Sequence, residues 1–141
     1  MITCGIEIKG NEAILCLLSK QDGLFQIADC RQVRHTLNHP NDCESVRKFQ
    51  LILKKLFEDY KVTRAVIKER PTKGKFAGGA IGFKIEATIQ LIDTVQVDLF
   101  SGATVKEVLK NHPMPIPFKA TGLRAFQEGA FTVGYIALCE E

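Results

Sequence analysis

The periodicity of the apolar residues changes near residue 42, and that change constrains the fold more than any other feature. Before it come three short apolar-rich runs, residues 2–8, 13–18 and a weaker one over 23–33, the first two separated by the turn signal Gly10-Asn11. Runs of this length bounded by glycine and asparagine read as strands, and such short connections allow only an antiparallel meander. Beyond it, Val46, Phe49, Ile52, Leu53 and Leu56 recur at three- and four-residue spacing behind Asp42. That pattern predicts a capped helix running to about Tyr60. The β-branched run at 62–68 predicts a buried strand. A glycine-containing approach over 73–79 leads to a second helix ending near Asp93. Residues 95–100 read as a fifth strand and 103–110 as a short helix. Pro113, Pro115 and Pro117 force an extended loop, after which Thr121 is positioned to cap a last helix running towards Cys139.

The element order is therefore βββ-α-β-α-β-α-α. Three antiparallel strands followed by α–β units give an α/β protein, a mixed five-stranded sheet with helices packed on it. This is the order of the ribonuclease-H-like fold. The chain has 141 residues, 45% apolar and 25% charged. Those values exclude a disordered chain and fit one domain spanning 1–141. No stretch of about 18 apolar residues is present, so no membrane span is expected. The first residues lack a basic segment and carry Glu7 early, which reads as cytoplasmic rather than secreted.

The net charge of +3 is unremarkable, but its distribution is not. Residues 61–84 hold Lys61, Arg64, Lys68, Arg70, Lys73, Lys75 and Lys84 against a single acid, Glu69. Lys68, Arg70, Lys73 and Lys75 flank that acid and lead into a helix N-terminus, a combination suited to anions. A phosphate backbone, DNA or RNA, is the natural partner, and a solvated basic loop is the plain alternative. Thr72-Lys73-Gly74-Lys75-Phe76 lacks the glycine spacing and the hydroxyl of a nucleotide-binding P-loop.

Cys4, Cys16, Cys30, Cys43 and Cys139 are odd in number and contain no C-x-x-C, so neither a disulfide framework nor a zinc site is indicated. Cys4 and Cys16 lie in apolar runs and are expected to be buried. His35, His39 and His112 lack metal-ligand spacing and are expected in exposed loops.

Three acids stand out by position. Glu7 interrupts an apolar strand, where an unpaired charge is costly. Glu69 follows the strand at 62–68, and α/β sheets place ligands at the C-terminal ends of their strands. Glu128 lies at the edge of the apolar stripe of the last helix, four residues after Arg124, with which it could instead form an ordinary helix ion pair. If the first strand neighbours the strand at 62–68, Glu7 and Glu69 can converge. Three converging carboxylates require a counter-charge, and hard oxygen ligands suit Mg²⁺ or Mn²⁺.

Gly5-Ile6-Glu7-Ile8-Lys9-Gly10 resembles the G-I-D-P-G start of RuvC-type Holliday-junction resolvases, with Glu in place of Asp. Glu69 is similar to their second acid. Ala103-Thr104-Val105-Lys106 resembles their short helix bearing a V-K pair. Glu128, with Gly129-Ala130-Phe131-Thr132-Val133-Gly134 after it, is similar to their final acid-bearing helix, although Ala125 stands where a second acid is expected. As a whole the chain also resembles a small bacterial domain family of unknown function. The resolvase resemblance implies a metal-dependent nuclease with an altered active site. Glu7, Glu69 and Glu128 would hold Mg²⁺ or Mn²⁺, and Lys106 would sit near the scissile phosphate. Lys9, Arg70, Lys73 and Lys75 would hold the backbone. Two further readings stand beside it. One is a non-catalytic nucleic-acid-binding module. The other is a homodimer or protein-interaction domain, with Gly78 and Gly82 giving a close helix contact.

Overall fold

The computed structural model describes residues 1–74 and 78–140. Lys75, assigned above to the nucleic-acid contact, lies outside the described residues. The chain forms β1 (Ile2–Lys9), β2 (Glu12–Gln21), β3 (Leu24–Ala28), β4 (Arg34–Thr36), α1 (Cys43–Asp59), β5 (Val62–Lys68), α2 (Ala80–Gln90), β6 (Gln96–Phe100), α3 (Gly102–Asn111) and α4 (Glu128–Cys139). The sheet order is β3-β2-β1-β5-β6, with β4 also paired to β2. β1, β2 and β3 run antiparallel, while β1–β5 and β5–β6 are parallel. The expected mixed α/β sheet is present, with β1 and β5 as neighbours.

Three details depart from the sequence expectation. The run expected at 23–33 splits: β3 ends at Ala28, and the chain returns at β4 to pair with the start of β2. His35 is carried inward by this turn and is buried rather than exposed, with Nε2 2.9 Å from the Gln32 carbonyl. His39 and His112 are exposed as expected. The last helix starts later than expected. Thr121 ends a 3-10 turn, its hydroxyl donating to the Phe118 carbonyl and accepting from the Leu123 amide. Gly122 follows at φ 78°, a left-handed conformation that stops any helix there.

The helix ends that do match follow from capping chemistry. Asp42 accepts from the Ser45 amide at the start of α1, and Ser101 accepts from the Thr104 amide at the start of α3. Alternation along the strands then builds two layers. Cys4, Ile6 and Ile8 of β1 and Ala65 and Ile67 of β5 point into the core shared with Phe49, Leu53 and Phe57 of α1 and Ile85 and Ile89 of α2. The opposite face is covered by α4. This helix is apolar nearly all round because it lies between the sheet and α3. Its approach is very close. A Cβ on Gly5 would press on the Ala130 carbonyl and stand 2.8 Å from the Gly134 amide nitrogen. Cys4 and Cys16 are buried, and burial raises both thiol pKa values, Cys16 to about 12. They are packing groups, not nucleophiles. Among the described residues, no helix is long and apolar enough to cross a membrane.

Candidate functional site

Glu7 follows Gly5 on the α4 face of β1, and the close approach of α4 decides its surroundings. The carboxylate packs directly against Gly129, where a Cβ would collide with it. Glycine therefore lets this carboxylate lie directly against the first turn of α4. The Glu7 side chain is 12% exposed. Its Oε1 is buried and accepts no hydrogen bond. Two ammonium groups stand near: Lys9 Nζ is 3.5 Å from Oε1, and Lys68 Nζ is 3.5 Å from Oε2. Such distances attract without saturating the acid, since a charge-assisted N–H···O bond closes to about 2.8 Å.

These groups line a cleft of about 390 Å³ between β1, β5, α3 and α4. Glu128 opens onto the same cleft, with Val105, Gly129 and Val133 in its walls. Glu128 is the first residue of α4, which continues from a 3-10 turn over Ala125–Gln127, and its own amide donates to the Ala125 carbonyl. Two of the three acids selected from sequence are thus brought together.

Glu69 is not part of this cleft. β5 alternates, so Val66 and Lys68 face α4 while Ala65 and Ile67 face α1 and α2. Glu69 is one residue beyond Lys68 and accompanies Glu86 of α2. Glu86 is buried, and its Oε2 has no hydrogen-bond partner. Burial raises the Glu86 pKa, the nearby Glu69 raises it further, and Arg70 opposes both. Glu86 carries no sequence signal beyond being an acid on the inner face of a predicted helix, and the sequence reading passed over it.

The basic residues divide in the same way. Lys9 and Lys68 line the cleft. Lys106 is exposed, one residue beyond the cleft wall at Val105, and Lys73 is exposed beyond the end of β5. Arg70 is committed inward: its guanidinium donates to the Ile8 carbonyl at 3.2 Å and lies 5.9 Å from the Phe83 ring centroid. Gly78 and Gly82 leave the space that this side chain fills. The glycine spacing read from sequence as a helix–helix contact is occupied from within the molecule. Arg124 precedes α4 and lines a different cleft, of about 540 Å³, with Arg34 and Phe126. There Arg34 pairs with Glu12 at 2.7 Å and lies over the Phe126 ring.

Among the described residues, no group of three or more His, Cys, Asp or Glu side chains is placed to hold a metal ion. Glu7 and Glu128 are the carboxylates that line the cleft. A buried carboxylate oxygen without a hydrogen bond, in a cleft that a second carboxylate also lines, fits one hard cation, which needs only one or two protein carboxylates. The described set does not supply the further carboxylates of a two-ion clamp.

Solved structures share this architecture. Thermus thermophilus RuvC superposes with a TM-score of 0.72 at 11% identity, over 96% of this chain and 92% of that one. T. thermophilus RuvC in complex with Holliday junction substrate gives 0.64 at 10% identity, over 96% and 91%. The Fowlpox virus resolvase with substrate Holliday junction DNA gives 0.56 at 8% identity, over 99% and 98%. Identities this low establish a shared fold, the RuvC-like ribonuclease H fold, and no more. No curated protein matches the chain in sequence. The family model for the protein of unknown function DUF3010 matches residues 1–137, and the chain belongs to that family.

Proposed function

We propose that this protein binds the phosphodiester backbone of nucleic acid across the Glu7–Glu128 cleft and cleaves it in a metal-dependent, resolvase-like reaction. The observation that carries this reading is the buried Oε1 of Glu7, which accepts no hydrogen bond, in an open cleft that Glu128 also lines. Glu7 and Glu128 would hold one Mg²⁺ or Mn²⁺. When bound, such an ion activates water and stabilises charge on the phosphate. The protein's own groups do the rest. Gly129 and the α4 backbone hold the Glu7 carboxylate in place. Lys9 at the cleft rim, Lys106 beside it and Lys73 beyond β5 offer ammonium groups to backbone phosphates, contacts that position without reading sequence. Glu69 and Arg70 have no part in this reading.

A second reading, metal-free binding without cleavage, is favoured by the two ammonium groups already near Glu7. One experiment separates the two. Four-way junctions, single-stranded DNA and RNA are incubated with Mg²⁺ or Mn²⁺ and with the wild type, Glu7→Gln or Glu128→Gln. Cleavage by the wild type alone supports the nuclease reading. Equal cleavage by all three, or by none, removes it. Binding in chelator that weakens steeply with salt, without cleavage, leaves the second reading.

A further inference from the structure

We infer that Lys68 is a built-in counter-charge that competes with a cation for Glu7 and turns to a phosphate oxygen once the cation has taken the acid. This rests on the proposed reading of the cleft and gives Lys68 a role beyond the basic group around Glu69 to which the sequence assigns it. β1 and β5 are parallel neighbours in the register Ile6 to Ile67, so Glu7 and Lys68, the next residue on each strand, come abreast on the α4 face. Both strands are central in the sheet, so backbone pairing presets the meeting. Lys68 Nζ reaches Glu7 Oε2, lines the cleft and is 46% exposed, leaving the ammonium free to swing towards a ligand. Lys9 also approaches Glu7, but from the strand end and with 57% exposure, so its position is less constrained.

The consequence is a coupling. A cation at Glu7 removes the attraction that holds Lys68 and repels its ammonium, and a phosphate oxygen becomes its best partner. Cation and phosphodiester then favour each other's binding by the same factor, as linkage requires.

The test measures two affinities for the wild type, Lys68→Gln, Lys68→Arg and Lys9→Gln. They are Mn²⁺ alone, by titration calorimetry or electron paramagnetic resonance, and a short DNA oligonucleotide, the latter both with Mn²⁺ and in chelator. Lys68→Gln is expected to tighten Mn²⁺ binding about two- to fivefold, the range for a partly exposed ion pair, and to weaken oligonucleotide binding in Mn²⁺ while leaving it near wild type in chelator. Lys68→Arg keeps the charge and should leave both near wild type, which also reports that the site is folded. Lys9→Gln should shift Mn²⁺ binding less than Lys68→Gln does. Unchanged or weaker Mn²⁺ binding in Lys68→Gln, with the wild type binding both ligands, overturns the role of Lys68 alone. A wild type that binds neither ligand removes the reading of the cleft and this role with it.

Discussion

Gly129→Ala should separate site from fold. The new Cβ would be built into the Glu7 carboxylate, the free end of a side chain rather than backbone. To reach ordinary carbon contact distances of about 3.5 Å, that carboxylate must retreat by roughly 1 Å or more. The stability terms are small and opposed. Alanine gains at most about 1 kcal/mol of helix propensity over glycine, and less in the first turn. Loosening the approaches of Lys9 and Lys68, both well exposed, costs about 0–1 kcal/mol each. The net change should stay within about 1–2 kcal/mol, a few degrees in Tm for a chain of this size. The functional cost is larger, because a 1 Å misplacement of a catalytic group costs on the order of 100-fold in rate. Gly5→Ala is the contrast, because its Cβ meets the Ala130 carbonyl and the Gly134 backbone, which cannot yield without lifting α4 from the sheet. It should cost about 1–3 kcal/mol or more. Urea unfolding combined with Mn²⁺ and oligonucleotide binding reads both variants. Wild-type binding in Gly129→Ala, or destabilisation equal to that of Gly5→Ala, would refute the argument.

Other substitutions test the rest of the structure. Glu86 has a folded-state pKa raised by burial and by Glu69, so its stability contribution is fully present below the ordinary carboxylate pKa and is lost as pH rises through the raised value. Glu86→Gln should therefore be more stable than the wild type near neutral pH and lose that advantage at about pH 4, as read by urea unfolding at the two pH values. Ser101→Ala removes the cap on Thr104 and should cost about 1 kcal/mol by the same measurement. Gly82→Ala intrudes on the Arg70 guanidinium and should weaken its hold on Ile8, which amide hydrogen exchange at the C-terminal ends of β1 and β5 would register as lost protection.

Much of the fold was legible because periodicity and capping act locally. Asp42 with Val46, Phe49, Leu53 and Leu56 announces α1, and the β-branched run at 62–68 announces β5. β4 was not legible, since Arg34-His35-Thr36 has no strand pattern of its own and is drawn into the sheet by pairing with Glu12–Ile14. The start of α4 was misplaced because Thr121 satisfies its hydroxyl within a 3-10 turn. At the site, Glu7 and Glu128 were visible as acids inside apolar patterns. Lys68 was visible as one of four bases around Glu69, but not as the partner of Glu7.

The sequence by itself determined the α/β class, the order of the elements and the position of an acid in the middle of the first strand, because each rests on local pattern. It did not determine on which side of the sheet each charge lies. Lys68, the last residue of β5, meets Glu7 on the α4 face, while Glu69, one residue on, lies close enough to Glu86 of α2 to raise its pKa, since successive side chains on an extended chain point to opposite faces. The Ile6–Ile67 register and the contact of Gly129 with Glu7 chose between those arrangements. Both are long-range contacts, so only the tertiary structure decided that the cleft pairs two carboxylates with two lysines rather than gathering three carboxylates.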